Sequence, residues 1–142
     1  MDELLQLFLN VIELSDEDQN LVTDHWNEKV LLDRNDFLLD LGQVERRIYF
    51  IEEGTLRIYY PNNGDEIVVG FGYPNTLICD FPSLINNTAS GYCIQALKRC
   101  KLRAISSADF FMIKSKSRAI EKAWQMMIEQ ALIGKIERET EM

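Results

Sequence analysis

The sequence has few of the residues that build metal centres and disulfide frameworks. It contains three cysteines and one histidine in 142 residues. Cys79, Cys93 and Cys100 form an odd set without the two-residue spacing of a zinc knuckle. We therefore expect reduced thiols, mostly buried as small apolar side chains, and neither disulfides nor bound zinc. An iron–sulfur cluster would need four thiolates, which argues against that cofactor in this chain.

The side chains of common catalytic sites are scarce as well. His25 is the single imidazole, and it lies near the end of a predicted N-terminal helix. A cupin-type metal enzyme needs several histidines and a carboxylate that converge on one site, and a serine nucleophile needs a base beside it. We therefore predict that the chain is not an enzyme and that it carries no metal.

Long apolar runs and an excess of basic residues are also missing. The longest apolar runs, such as 67–71 and 126–128, are far shorter than the roughly 20 residues of a membrane helix. The formal net charge is −8, whereas duplex affinity comes largely from Lys and Arg at phosphates. We expect a soluble, cytoplasmic chain that binds no membrane and, by itself, no DNA.

What the sequence does contain is a series of short β-type segments between helical ends. Its 46% hydrophobic and 27% charged residues are ordinary for one globular domain. We predict a single domain over residues 1–142, with N-terminal helices in 1–29, a β-roll in 30–106 and C-terminal helices in 107–142. Ser15, which precedes three acids, predicts the N-cap of the second helix.

Glycine and asparagine divide the middle of the chain at intervals typical of antiparallel hairpins. Gly54 and the run Asn62–Gly64 are turn signals, because these residues accept positive φ. Pro82 favours the first turn of a short helix. Together the signals predict strands over Phe37–Leu41, Arg47–Glu52, Thr55–Tyr60, Glu66–Phe71, Thr76–Cys79, Tyr92–Leu97 and Lys101–Ile105, and a helical turn over Phe81–Leu84.

The last of these strands shows a period of two. Basic residues alternate with apolar ones, Arg99, Lys101 and Arg103 with Cys100, Leu102 and Ala104. This pattern predicts a half-buried strand whose basic side chains form one solvated face.

Two helices are predicted after the last strand. Ser106 or Ser107 caps a short helix that runs to Met112, and a long helix begins near Ser117. The long helix carries two apolar stripes. One consists of Ile120, Trp124, Met127 and Ala131, and the other of Ile128, Leu132 and Ile136.

Two stripes predict a homodimer through the long helix. A monomer covers one stripe with its own β-roll and leaves the other in water, where a large apolar patch is costly. We assign the dimer contact to the stripe that contains Trp124, because aromatic anchors concentrate at interface centres.

The middle of the chain resembles a known family. The resemblance is carried by Leu39, Leu41 and Gly42, by the run IYFIEEGTLRIYY from Ile48 to Tyr60, and by Gly64, Glu66 and Phe71. These residues resemble the cyclic-nucleotide-binding domain of the catabolite-activator and fumarate–nitrate-regulator (Crp/Fnr) family of bacterial transcription regulators. The resemblance covers nearly the whole chain. It implies a jelly-roll-like β-roll, or double-stranded β-helix, with N-terminal helices and a long C-terminal dimerisation helix.

The chain departs from this family at the phosphate-binding cassette. In the family, Gly-Glu precedes a short helix, and an Arg further along clamps the cyclic phosphate with charge-assisted bonds. By position, Cys79 replaces the glycine, Asp80 the glutamate, Ser90 the arginine and Gly91 the residue after it. No Lys or Arg occurs between Arg57 and Lys98 to restore the clamp.

We therefore expect weak or no binding of cyclic nucleotides. A pocket at this place would take a neutral or differently charged effector. The resemblance and the polar character of the stretch indicate the binding residues Cys79, Asp80, Ser83, Ser90, Gly91 and Tyr92. The alternative is that the same residues cap a helix and line a filled core.

The resemblance implies the ligand-sensing and dimerisation domain of a transcription regulator. Family members continue past the dimer helix into a helix-turn-helix domain that enters the major groove. These residues contain no such domain, so we expect contact with DNA only through a domain outside them. The alternative is a regulatory module that stands alone or is attached to another signalling protein.

Overall fold

The structure, a computed structural model, describes residues 2–128 of the chain. Two helices come first, α1 at Glu3–Leu9 and α2 at Asp16–His25. Asp2 Oδ1 accepts the N–H of Leu5 at 3.2 Å, and Ser15 Oγ accepts the N–H of Asp18 at 3.1 Å. These side chains satisfy N–H groups that the first helical turn leaves without a helical partner. The predicted cap at Ser15 is confirmed.

Eight strands lie in the part of the chain between the terminal helices. They are β1 at Glu28–Leu32, β2 at Phe37–Leu39, β3 at Arg47–Glu53, β4 at Leu56–Asn62, β5 at Asp65–Gly72, β6 at Leu77–Ile78, β7 at Cys93–Ala96 and β8 at Cys100–Ser106. They form two four-stranded antiparallel sheets, ordered β1-β8-β3-β6 and β2-β7-β4-β5. A short helix, α3 at Phe81–Asn86, lies between β6 and β7. The predicted fold class, mainly β with flanking helices, is confirmed.

One buried apolar cluster takes side chains from both sheets. The cluster contains Leu39, Tyr49, Ile51, Leu56, Ile78, Ile94, Ala96, Cys100, Leu102 and Ala104. Strand β8 shows the predicted alternation, because Leu102 and Ala104 face this cluster while Lys101 and Arg103 are only half-buried. Arg103 was predicted on a solvated face, and its guanidinium instead donates to the carbonyl of Trp26 at 3.0 Å.

Two turns depend on positive φ. Gly54, between β3 and β4, has φ +98°, and a Cβ there would lie 2.5 Å from Cys100 Sγ and 2.6 Å from the carbonyl oxygen of Arg99. Only glycine fits this position. Asn63 and Gly64 have φ +53° and +88° and join β4 to β5 in a two-residue hairpin turn.

Helices also form the last part of the described chain. They are α4 at Ser107–Lys116 and a helix over residues 118–128. Ser106 Oγ accepts the N–H of Asp109 at 3.1 Å, so the predicted cap is present. The predicted end at Met112 is wrong, because α4 continues to Lys116. The continuation places Ile113, the next residue, in a fully buried position.

The second of these helices begins as predicted. Ser117 Oγ accepts the N–H of Ile120 at 3.1 Å, which caps the helix that starts at residue 118. Its predicted continuation beyond residue 128 lies outside the described residues.

By backbone proximity the chain divides into two compact units. One spans His25–Asp109 and holds all eight of the described strands, and the other combines residues 2–24 with residues 110–128 of the described chain. The organisation as one domain stays a prediction. Across residues 2–128, no helix is both long enough and apolar enough to span a bilayer.

Candidate ligand-binding segment

The predicted binding residues lie in the connection from β6 to β7, residues 79–92, which we call the cassette segment. Its helix α3 starts at Phe81 because Asp80 caps it, accepting the N–H of Ser83 on Oδ1 at 3.1 Å. Pro82 in the first turn needs no hydrogen-bond partner for its nitrogen. Asn87 ends the helix with φ +55° and donates its N–H to the carbonyl of Ser83.

Ser90, which the resemblance assigns to the position of the family's arginine, is hydrogen-bonded through its side chain and its main chain. Its hydroxyl donates to Asp80 Oδ2 and accepts the N–H of Tyr92 at 3.0 Å. Its own N–H donates to the carbonyl of Gln43 at 2.7 Å, and its carbonyl accepts the N–H of Gly42 at 2.9 Å. The side chain is 3% exposed. Ser90 therefore ties the cassette segment to the loop between β2 and β3.

Ser83 makes a second link to the same loop. Its hydroxyl accepts the main-chain N–H of Glu45 at 2.9 Å and donates to the carbonyl of Thr88 at 2.6 Å. It is also 3% exposed. Asp80, Ser83 and Ser90 are thus brought together, as expected of one site, but their polar atoms bond to each other and to the backbone.

The other three predicted residues are less involved. Gly91 is exposed, with open space where a Cβ would lie. Tyr92 is partly exposed, and its ring meets the ring of Tyr60 edge-on at 6.0 Å between centroids. Cys79 is half-buried, and burial, with smaller contributions from Glu45 and Asp80, raises the pKa of its thiol far above the usual range. The side chains of Cys79 and Tyr92 make no hydrogen bond to Asp80 or Ser90, and Tyr92 contributes only main-chain groups there.

Glu45 is the residue that sequence reasoning missed. Its side chain is 3% exposed and accepts the N–H groups of Asp80 at 3.3 Å and Arg47 at 3.4 Å. Burial raises its pKa to about 7, because a charged carboxylate is poorly solvated there; the backbone hydrogen bonds oppose the rise, and the charge of Asp80 adds to it. Its neighbours in sequence are one apolar residue, Val44, and the polar residues Gln43 and Arg46, so nothing local predicts that a loop carboxyl becomes buried.

An open cavity of about 350 Å³ lies beside Glu45. Its wall consists of Leu38, Leu39, residues 43–47 and Tyr49. The cavity therefore reaches Glu45 but not the predicted residues Asp80, Ser90 and Tyr92.

Two arginines of the neighbouring strands are engaged elsewhere, whereas Arg46, which lines the cavity beside Glu45, is exposed. Arg47 pairs with Glu28 at 3.0 Å, and Arg57 pairs with Glu66 at 3.1 Å while also donating to Gln95. The cassette segment itself contributes a carboxylate and two hydroxyls. This arrangement disfavours an anion and leaves neutral or cationic groups as the chemistry that it would accept.

The cysteines are free, as predicted. Cys93 and Cys100 are buried and Cys79 is half-buried. Burial raises the pKa of Cys100 as well as that of Cys79, which keeps both thiols protonated and unreactive at neutral pH. Within residues 2–128, no group of three or more His, Cys, Asp or Glu side chains is arranged to hold a metal ion.

The residues predicted for the dimer contact differ in how far they are buried within the chain. Ile120 is fully buried and Trp124 is 7% exposed, with its ring edge-on to Phe110 at 4.7 Å between centroids. Met127 is half-buried, and Ala131 lies outside the described residues. The burial within one chain weighs against this stripe as the dimer face, because its first two side chains are already covered.

Comparison with known proteins agrees with this architecture. The family model of the cyclic nucleotide-binding domain matches residues 29–117, so the chain belongs to the cyclic nucleotide-binding domain family. The match includes the whole cassette segment, and the resemblance found in the sequence is confirmed. A search of the curated proteins found no match to this chain.

Solved structures of bacterial regulators share the fold. The Thermus thermophilus catabolite activator protein superposes with a TM-score of 0.75 at 16% identity, over 94% of this chain and 62% of its own. The N-terminal domain of a Streptomyces coelicolor transcriptional regulator gives 0.72 at 23% identity, over 97% and 95%. The sensor domain of the Pseudomonas aeruginosa transcriptional regulator DNR gives 0.73 at 17% identity, over 95% and 90%. This chain spans 62% of the length of the Thermus protein.

Proposed function

We propose that these residues form the ligand-sensing and dimerisation domain of a Crp/Fnr-type transcription regulator that does not respond to cyclic nucleotides. One observation carries the second half of the proposal: Ser90, at the position of the family's arginine, is bonded to Asp80. The first half is supported by the family and by the likeness to the sensor parts of bacterial regulators. In this proposal the domain acts in the cytoplasm and has no catalytic role.

The charges at this place disfavour a cyclic phosphate. A cyclic phosphate must lose water when it enters a pocket, and an arginine offsets that loss with two charge-assisted hydrogen bonds. Here the same place holds a hydroxyl that already donates to a carboxylate. A phosphate would have to break this contact and then face the negative charge of Asp80. A neutral or cationic effector meets neither obstacle.

Titration calorimetry with cyclic AMP and cyclic GMP tests the missing clamp. We expect no binding tighter than a Kd of about 10 μM, which corresponds to roughly 7 kcal/mol. A tighter value for either nucleotide would show that another group takes the place of the arginine and would contradict the proposal.

The dimer in this proposal forms through the C-terminal part of the chain, from the helix at residues 118–128 onward. Ile128 is 39% exposed, whereas Trp124 is covered within its own chain. We therefore move the contact to the stripe that begins at Ile128. An effector that binds two conformations of the domain with different affinities would shift the equilibrium between them. The shift would then alter the geometry of the paired helices.

Light scattering of the chain and two variants tests this face. We expect a dimer at tens of micromolar, and Ile128→Glu should yield a folded monomer of 16.5 kDa. Trp124→Glu should instead destabilise the fold by about 3–5 kcal/mol, because it places an unpaired charge in the interior. A monomeric wild type would refute the dimer. A folded Trp124→Glu monomer beside a dimeric Ile128→Glu variant would restore the Trp124 stripe as the interface.

A further inference from the structure

Glu45 joins two separate segments of the roll. Its main-chain N–H donates to Ser83 Oγ at 2.9 Å, and its carboxyl accepts the N–H of Asp80 at 3.3 Å. Both partners belong to the cap and first turn of α3, which follows Glu45 by 35 to 38 residues along the chain. The same carboxyl accepts the N–H of Arg47 at the start of β3. With its main chain and its side chain, Glu45 is therefore one of the buried residues that hold α3 against the β2–β3 loop.

The titratable groups that face Glu45 do not neutralise it. The cap of α3 contributes the carboxylate of Asp80, and the end of β6 contributes the thiol of Cys79. Strand β3 contributes Tyr49 and Arg47, and the Arg47 guanidinium is paired with Glu28 at 3.0 Å. The loop itself contributes Arg46, whose exposed side chain lines the cavity and whose backbone N–H lowers the pKa of Glu45.

Within residues 2–128 no ion pair is formed at Glu45. Its negative charge is therefore opposed by the charge of Asp80 and supported mainly by backbone N–H groups. Such a carboxyl is expected to exchange its proton when the fold changes only slightly.

We propose that Glu45 is a proton-responsive latch, which holds the cassette segment against the β2–β3 loop when it is protonated and loosens that contact when it is ionised. In the protonated form, the carboxyl is neutral and tolerates its buried position between the loop and α3. In the ionised form, the charge is poorly solvated there, which favours opening of the junction to water, and the smaller repulsion from Asp80 adds to this tendency. The open cavity beside Glu45 gives water a route to the carboxyl.

The direction of the pH effect is set by the raised pKa. Glu45 has a pKa of about 7 in the folded chain against the ordinary value of 4.5. The folded state therefore holds the proton more tightly than the unfolded state does. The stabilisation from this proton is complete below pH 4.5 and is lost as the pH rises through about 7. The latch thus opens on the alkaline side of neutrality.

Two-dimensional NMR of the uniformly labelled chain tests the latch. The amide resonances of Asp80 and Arg47, which donate to Glu45, should shift together with a common midpoint near pH 7. In Glu45→Gln, which keeps the shape and one acceptor oxygen, neither should shift between about pH 5.5 and 8.5. Glu53→Gln, which removes an exposed carboxyl at the far end of strand β3, should retain the wild-type titration. Asp80→Asn still caps a helix and should move the midpoint to lower pH.

The test of the latch does not depend on the Glu45→Gln variant alone. If Glu45→Gln does not fold, the carbon resonance of the Glu45 carboxyl in the wild type gives its midpoint directly. A midpoint below about pH 5, or a titration of the Asp80 and Arg47 amides that survives in Glu45→Gln, would overturn the latch. Cyclic-nucleotide affinity plays no part in these measurements, so the latch and the proposed sensory role succeed or fail separately.

Discussion

The cassette segment and strand β5 belong to the same β-roll and depart from ordinary burial in opposite directions. In the cassette segment, Ser83 and Ser90 are almost fully buried, and their hydroxyls bond to protein groups. In β5, which is an edge strand, Val69 and Phe71 are 53% and 50% exposed. Polar groups lie inside at one place, and apolar groups lie outside at the other.

The two places therefore differ in what their side chains contribute. The buried hydroxyls stabilise the fold, whereas the exposed apolar side chains of β5 are accessible to other molecules. A buried hydroxyl is kept for the bonds that it makes, because its removal leaves donors and acceptors without water or a partner. An exposed valine on a sheet edge contributes little to its own fold, because it removes little area from water. Mutations at the two places should therefore differ more than the size of the side chains suggests.

Of the two places compared, the cassette segment should show the larger effect, and Ser83→Ala tests it. This substitution removes the acceptor of the Glu45 N–H and the donor to the Thr88 carbonyl, so the free energy of unfolding should fall by about 1–3 kcal/mol. Urea denaturation measures it. The matched control is Ser115→Ala, at an exposed serine that donates to the Met112 carbonyl, and it should change stability by less than about 0.5 kcal/mol. Equal effects of the two variants would show that burial of the hydroxyl does not set its contribution.

Val69→Thr should have the smallest effect. The hydroxyl remains in water, so we expect a change within about 0.5 kcal/mol. Val22→Thr makes the same substitution at a fully buried site of α2, where an added hydroxyl should cost about 1–3 kcal/mol. Thermal or urea unfolding of the pair compares them directly. A loss at Val69 as large as that at Val22 would mean that the edge strand is covered in the purified protein.

Most of the roll could be predicted because its signals are local. Alternation in β8, the positive φ of Gly54 and the Asn63–Gly64 turn depend on residues that are close in sequence, and each prediction is confirmed. Strand β1 could not be delimited from the sequence, because Glu28–Leu32 has no clear alternation and pairs with β8 more than 60 residues later. Its place depends on a partner that the local pattern does not reveal.

The candidate site was predicted in part for the same reason. Asp80 and Pro82 are typical of the start of a helix such as α3. The resemblance assigned Ser90 to the position at which the family has its arginine. Glu45 gave no signal, because its burial depends on Ser83, which is 38 residues away. The dimer stripe had two candidates of equal periodicity. The burial of Ile120 and Trp124 and the exposure of Ile128 led us to propose the second stripe, and periodicity alone does not reveal these differences.

The central claim is that the polar groups of the cassette segment satisfy each other in the absence of a ligand. Amide hydrogen exchange of the ligand-free chain at about pH 6, where the proposed latch still holds its proton, tests it most directly. The Ser83 N–H donates to Asp80 and the Tyr92 N–H donates to Ser90. We predict that both amides are protected to a degree comparable with the amides of β8. Exchange of both at the rate of an unstructured loop would contradict the account, because the segment would then be open and its polar groups available to a ligand.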